Sequence, residues 1–113
     1  MVSSLEDIVA EKLRALLQQQ IRGRNRCQDV YDICICIRRK NLDLSKIAKY
    51  LKNKSAIRGI EPQKSSFNEN IRDRAAIDYN NRIRNEVPKT IIPPFDEAWQ
   101  EILSLVQKLD IPD

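Results

Sequence analysis

The sequence predicts an all-α chain of about five helices in a single domain spanning residues 1–113. Two observations carry that expectation. Apolar residues recur at three- and four-residue spacing in separate segments along the chain, the period of one helix face. Only 2 glycines occur among 113 residues, too few for the turns of an all-β chain or for a glycine-rich phosphate loop.

The elements follow in order. Residues 4–20 read as an amphipathic helix, with Ser4 as N-cap and Asp7 three positions on, as in a capping box. Its apolar stripe is Leu5, Ile8, Val9, Leu13, Leu16 and Leu17; Glu6 and Asp7 open it and Arg14 comes later, as the helix dipole prefers. Residues 22–26, Arg-Gly-Arg-Asn-Arg, form a polar break around Gly23. Residues 27–39 carry Val30, Tyr31, Ile33, Cys34, Ile35, Cys36 and Ile37 and leave two readings open. Their β-branched and aromatic content suits a strand, whereas their length, the lack of a hairpin partner and the flanking helices suit a buried helix.

Residues 43–54 read as a helix capped by Asp43, with Leu44, Ile47, Ala48 and Leu51 inside and Lys46, Lys49 and Asn53 outside. Residues 55–65 form a connector containing Gly59 and Pro62. Ser65 or Ser66 then caps a helix running to about Arg84, with Ile71, Ala75, Tyr79 and Ile83 as its inner stripe. Pro88, Pro93 and Pro94 keep 87–94 from being helical throughout. A last helix runs from near Asp96 to near Leu109 and buries Trp99, Ile102, Leu103 and Val106.

Composition excludes several functions. Histidine is absent, which removes Ser-His-Asp triads, Cys-His pairs and histidine-ligated metals. Cys27, Cys34 and Cys36 complete neither a four-ligand zinc site nor a disulfide framework; they read as free, mostly buried thiols in a reducing cytosol. No apolar run approaches the ~20 residues of a membrane span. The charges near residue 10 do not suit a signal peptide, so the expected location is cytoplasmic, without membrane contact.

Charge is unevenly distributed. The chain carries 20 basic and 16 acidic residues, net +4. Residues 1–60 hold 13 basic against 6 acidic residues, +7, and the remainder 7 against 10, −3. One basic group is Arg22, Arg24 and Arg26. The other is Arg38, Arg39, Lys40, Lys46, Lys49, Lys52, Lys54 and Arg58, interrupted only by Asp43. Such a footprint suits phosphate or nucleic acid, and equally an ordinary solvated surface; aromatic residues, at 5%, are too sparse for a base-stacking platform.

Two charges sit where apolar residues belong. Lys12 lies among Ile8, Val9, Leu13 and Leu16, and Asp32 lies inside the apolar run of 27–39, with Asp29 one helical turn before it. A lone buried charge costs several kcal/mol, so each requires a partner or a wet cavity. A short break joins the two segments, which lets Lys12 meet Asp32 as a structural ion pair or as one wall of a polar cleft. In a cleft the lysine would contact phosphate and the carboxylate a metal or a proton. No Asp-x-Asp pair accompanies them, so a two-metal phosphoryl-transfer site is incomplete in this chain.

The segment Leu5-Glu6-Asp7-Ile8-Val9-Ala10-Glu11-Lys12-Leu13-Arg14-Ala15-Leu16-Leu17, followed by Gln28-Asp29-Val30-Tyr31-Asp32, resembles the later portion of the AbiEii/AbiGii abortive-infection nucleotidyltransferases, the toxins of type IV toxin–antitoxin systems. Ile71-Arg72-Asp73-Arg74-Ala75 with Tyr79, and Phe95-Asp96-Glu97-Ala98-Trp99, are similar too, so the resemblance extends over essentially the whole chain. It implies the helical C-terminal lobe of a polymerase-β-like nucleotidyltransferase and a helix over 27–39. It further implies Lys12 as a nucleotide-phosphate ligand and Asp29 or Asp32 in the catalytic set, with Asp29 in the Arg-Asp slot. The motif's arginine is Gln28 here; Arg26 is the stand-in, and Arg22 and Arg24 join it as candidate phosphate ligands.

The family's Gly-Ser signal and metal-binding aspartate pair are not in the sequence, so the chain reads as a C-terminal fragment, a split half or a remnant. It is expected to be inactive alone, holding no metal itself. Mg2+ and NTP are implied cofactors, with the metal ligands in an N-terminal lobe. That lobe, a cognate antitoxin and RNA are the implied partners. The alternatives are a stand-alone basic helical module that binds RNA or a protein, and an inactive gene remnant.

Overall fold

The computed structural model describes residues 4–19, 26–39, 41–77, 79, 83 and 92–113. Five α-helices occur among them: α1 (Leu5–Leu17), α2 (Cys27–Arg39), α3 (Leu44–Ile57), α4 (Glu69–Ala76) and α5 (Phe95–Lys108), with one 3-10 turn at Lys64–Ser66. No strand is found among the described residues, so the all-α expectation holds. No described helix is long and apolar enough to cross a membrane.

Local chemistry sets the helix ends. The Ser4 hydroxyl accepts from the Asp7 backbone N–H at 3.1 Å, as its N-cap position requires. The carboxylate of Asp7 turns instead to Lys54 on α3, at 3.0 Å. Asp43 caps α3 by accepting from the Lys46 N–H at 3.2 Å. That helix runs three residues beyond the expected end at 54, because the stop signal is Gly59 and not the polar residues before it. Gly59 adopts φ +70°, its N–H donates to Ala56 O at 3.0 Å, and the Ile60 N–H donates to Ser55 O at 2.8 Å. This left-handed turn satisfies two otherwise orphaned carbonyls, and glycine enters it without a Cβ penalty.

Residues 27–39 are helical throughout. Cys27, Val30, Tyr31 and Cys34 fall at i, i+3, i+4 and i+7 and are all buried. That single helical face outweighs the β-branched composition.

Four expectations need correction. The helix expected from Ser65 or Ser66 to Arg84 starts later and is interrupted. Both serines lie in the 3-10 turn, and Asn68 supplies the cap by accepting from the Ile71 N–H at 3.2 Å. Ile77 adopts an extended conformation (φ −60°, ψ 126°) and ends α4 after Ala76. The stripe survives the break, since Ile71, Ala75, Tyr79 and Ile83 are all buried. On α5 the buried leucine is Leu105, while Leu103 stays half-buried. On α1, Leu5, Ile8 and Leu17 are half-buried and Ala10 is fully buried, so the buried face is rotated toward the small residues. On α3, Leu44 is likewise half-buried.

The reason lies in the packing. α1 packs against α2, α3 and α4, and α2 also packs against α4 and α5. A helix with three neighbours buries more than one stripe, and small residues allow the closest approach. One continuous apolar core results, with Val9 and Leu13 of α1, Ile33 of α2, Ile47 of α3, Ala75 of α4 and Ile102 of α5 fully buried in it. The chain's last residues lie over the 3-10 turn: Lys64 N–H donates to Pro112 O at 2.7 Å and Ser65 Oγ to Asp113 O at 2.9 Å.

Candidate functional site

Contact between α1 and α2 brings Lys12, Asp29 and Asp32 together. Lys12 Nζ lies 3.2 Å from Asp29 Oδ1 and 3.0 Å from Asp32 Oδ2. The carboxylates come from one face of α2 because residues three apart on a helix are neighbours. The other oxygen of Asp32 accepts from Gln28 Nε2 at 3.1 Å. Arg26 Nε approaches Asp29 Oδ2 at 3.6 Å, close enough for charge attraction and too far for a hydrogen bond. Asp29 Oδ2 and Gln28 Oε1 are therefore buried acceptors without a hydrogen-bond donor. The expected Lys12–Asp32 contact is present, and Asp29 shares it. Arg22, Arg24 and Gly23 lie outside the described residues.

The cluster opens to solvent on one side: the side chains of Lys12 and Asp32 are 26% and 30% exposed, that of Asp29 only 10%. Burial works to lower the pKa of Lys12, but the hydrogen bond to Asp32 and the fields of both carboxylates outweigh it and hold the ammonium above its ordinary value. Lys12 is thus cationic at neutral pH. Cys36, one turn beyond Asp32, is half-buried, and burial with the Asp32 charge raises its thiol pKa. It is protonated at neutral pH and is no nucleophile.

Two carboxylates already shared by one ammonium are a poor cradle for Mg2+, which demands near-octahedral oxygen coordination. No group of three His, Cys, Asp or Glu converges among the described residues. The cluster therefore does not fit a resident metal. For an anion the cluster offers Lys12 and Arg26, balanced by Asp29 and Asp32, so it is formally neutral. A polyphosphate would have to draw Lys12 away from its carboxylates.

Sequence reasoning missed Gln19, which is 1% exposed. Its Nε2 donates to Leu16 O at 3.1 Å and Ile71 O at 3.2 Å, and its Oε1 accepts from the Arg26 N–H at 2.9 Å. This one side chain ties the end of α1 to the start of α2 and to α4, and so sets where Asp29 sits. It is the middle of three consecutive glutamines, and nothing local distinguishes it. Arg14 was also missed as a core residue: it is buried, donates to Gln18 and Glu11, and keeps its Nε unpaired.

The basic stretch 38–58 is not uniform. Arg38 pairs with Glu97 at 3.0 Å and Glu101 at 2.9 Å. Lys54 pairs with Asp7 at 3.0 Å and with Glu11 at 3.6 Å. Glu101 also accepts from the buried Cys34 thiol at 2.9 Å. Burial and this contact push the Cys34 pKa up to about 12, and the thiol acts as a hydrogen-bond donor. Lys40 lies outside the described residues.

A family model for the nucleotidyl transferase AbiEii toxin of type IV toxin–antitoxin systems matches residues 1–101. No curated protein and no solved structure matches the chain. The matched span contains α1 and α2 with all of Lys12, Asp29 and Asp32, and it reaches into α5. Type IV membership implies a cognate antitoxin. On a match over nearly its whole length, the chain belongs to the AbiEii family of nucleotidyl transferase toxins.

Proposed function

We propose that this chain is the helical C-terminal part of a nucleotidyltransferase toxin, and that it contributes Lys12, Asp29 and Asp32 to a site completed by an N-terminal lobe. The reaction is nucleotidyl transfer from an NTP, with RNA as acceptor. The observation that supports the reading is the convergence of those three side chains from two helices at 3.0–3.2 Å, at an edge open to solvent. Lys12 supplies the mobile cation. Its long stem lets the ammonium leave the carboxylates for a bound polyphosphate, and the two aspartates hold it in place until then. Arg26, just before α2, and Gln28, in its first turn, set the geometry of the aspartates. The metal-binding set belongs to the other lobe in this reading, consistent with the poor fit of the cluster to a divalent ion. Arg22 and Arg24 are proposed to add phosphate contacts beside Arg26.

The test is Lys12→Ala in the protein joined to a lobe that carries the paired aspartates. Transfer of labelled nucleotide to RNA is expected to fall by about 10²–10³, the range for losing one preorganised charge at a reacting phosphate. Unchanged transfer by a variant with wild-type helical content would remove the assignment.

A further inference from the structure

The outward face of α3 carries Lys46, Lys49 and Lys52, all exposed. No acidic side chain lies within ion-pair distance of them among the described residues. Lys54 and Arg38, in the same basic stretch, are each held by two carboxylates. The stretch therefore divides into cations used to fasten helices together and cations left to solvent. The three free lysines follow one another at three-residue steps, about 4.5 Å of helix axis each. Flexible lysine stems let cations spaced in this way follow the phosphates of one strand. Between α3 and the chain's end a cavity of about 240 Å3 is lined by Ser45, Lys49, Lys52, Asn53 and Asp110. It offers two cations, a hydroxyl and an amide, opposed by one carboxylate.

We propose that this face of α3 is a docking track for the sugar–phosphate backbone of folded RNA, separate from the Lys12 cluster. The choice of RNA rests on the acceptor assigned under the proposed function. The surface chemistry favours backbone over bases. The stripe has no exposed aromatic residue for stacking, and lysine contacts phosphate as a point charge that reads no sequence. A lipid surface is disfavoured because the exposed face of α3 ends in a single large apolar residue, Ile57, and offers no apolar band to insert. Nearby acids are few: Asp110 in the cavity, and Asp43 with Glu6 at the start of α3, where Asp43 N–H donates to Glu6 Oε2 at 3.0 Å.

The test titrates a fluorescent RNA hairpin with the full 113-residue chain, without NTP, between about 50 and 200 mM salt. The triple variant Lys46→Gln/Lys49→Gln/Lys52→Gln is expected to bind at least tenfold more weakly at low salt. Its log K against log salt should be shallower by about 2–3, near one for each phosphate that is no longer neutralised. Lys46→Arg/Lys49→Arg/Lys52→Arg should retain binding, and Asp110→Asn should tighten it. Lys64→Gln/Arg72→Gln/Lys108→Gln removes the same charge elsewhere and should weaken binding much less. The proposal is overturned if the first triple variant binds like wild type, or if both charge-removing triples weaken binding equally. It is also overturned if anionic vesicles or poly-glutamate bind the stripe as tightly as RNA. The assay reads binding without transfer, so failure here and failure of the transferase reading are separate results.

Discussion

Single residues in this protein are decided by what faces them. Lys12 is an apolar-stripe intruder in the sequence and the centre of a three-charge cluster in the fold. Its raised pKa means that its contribution to stability is present below the ordinary lysine value of 10.5 and is lost as pH rises through the higher folded value. Glu101 behaves in the opposite sense. The hydrogen bond from Arg38 chiefly, with help from Cys34, holds its carboxyl below 4.5 against the effect of burial. A depressed carboxylate stabilises the fold above its unfolded pKa and ceases to as pH falls through the folded one. Urea unfolding from neutrality down past pH 4.5 is therefore expected to show wild type losing more stability than Glu101→Gln. Parallel pH profiles would refute the assignment. The pair is partly exposed, so its net worth at neutral pH is small, within about 1 kcal/mol.

Polar side chains join the elements at particular points, and the buried ones are the most consequential. Gln19 is the clearest case, since its amide satisfies groups on three helices and is itself fully buried. Replacing it with leucine leaves the Arg26 N–H and the Ile71 carbonyl without this partner, at roughly 1–3 kcal/mol for each buried group left unpaired. Gln19→Leu is thus expected to lower unfolding free energy by about 2–4 kcal/mol in urea. The same variant should loosen the first turn of α2, so amide exchange at residues 28–30 should speed up before global unfolding. Unchanged exchange there would mean that α2 holds Asp29 in place without Gln19. Helix α4, at eight residues, is too short to persist alone and depends on its Asn68 cap and on Ile71 and Ala75 in the core.

At the scale of the whole molecule the five helices share one core, so unfolding is expected to be a single cooperative transition. Trp99 reports on it. Its ring, 2% exposed, stacks on Phe95 with centroids 6.2 Å apart. Phe95 meets Tyr79 edge-on at 5.2 Å, and the Tyr79 hydroxyl donates to Pro93 O at 2.9 Å. This ring cluster fastens α5 to the segment that follows α4. Trp99→Ala should remove about 3–5 kcal/mol, a large share of the 5–15 kcal/mol available to a domain. Loss of cooperative melting by circular dichroism checks that expectation, and a variant melting as wild type would show that α5 is peripheral. The uneven charge of the chain is also used at this scale, because Arg38 from the basic part is held by Glu97 and Glu101 from the acidic part.

The 27–39 segment is open between strand and helix until the family resemblance favours the helix. Residue spacing alone was enough to place α1, α3 and α5, the Ser4 and Asp43 caps and the buried stripe that runs through α4. It also marked Lys12 and Asp32 as charges in need of partners. Each of these depends on residues a few positions apart, where helical geometry makes spacing equivalent to contact. It took the packed fold to show that Asp29 shares Lys12, that Gln19 bridges three helices and that Arg14 is buried. The fold also separates the lysines of the basic stretch that are neutralised from those that remain free, and it has Ile77 interrupt the helix expected to reach Arg84. Those outcomes depend on which faces meet across the core. Arg38 and Glu101 are 63 positions apart, and no periodicity relates them. A helix with three neighbours buries polar residues that its own stripe would place in water, because packing surrounds it on more sides than one hydrophobic face can report.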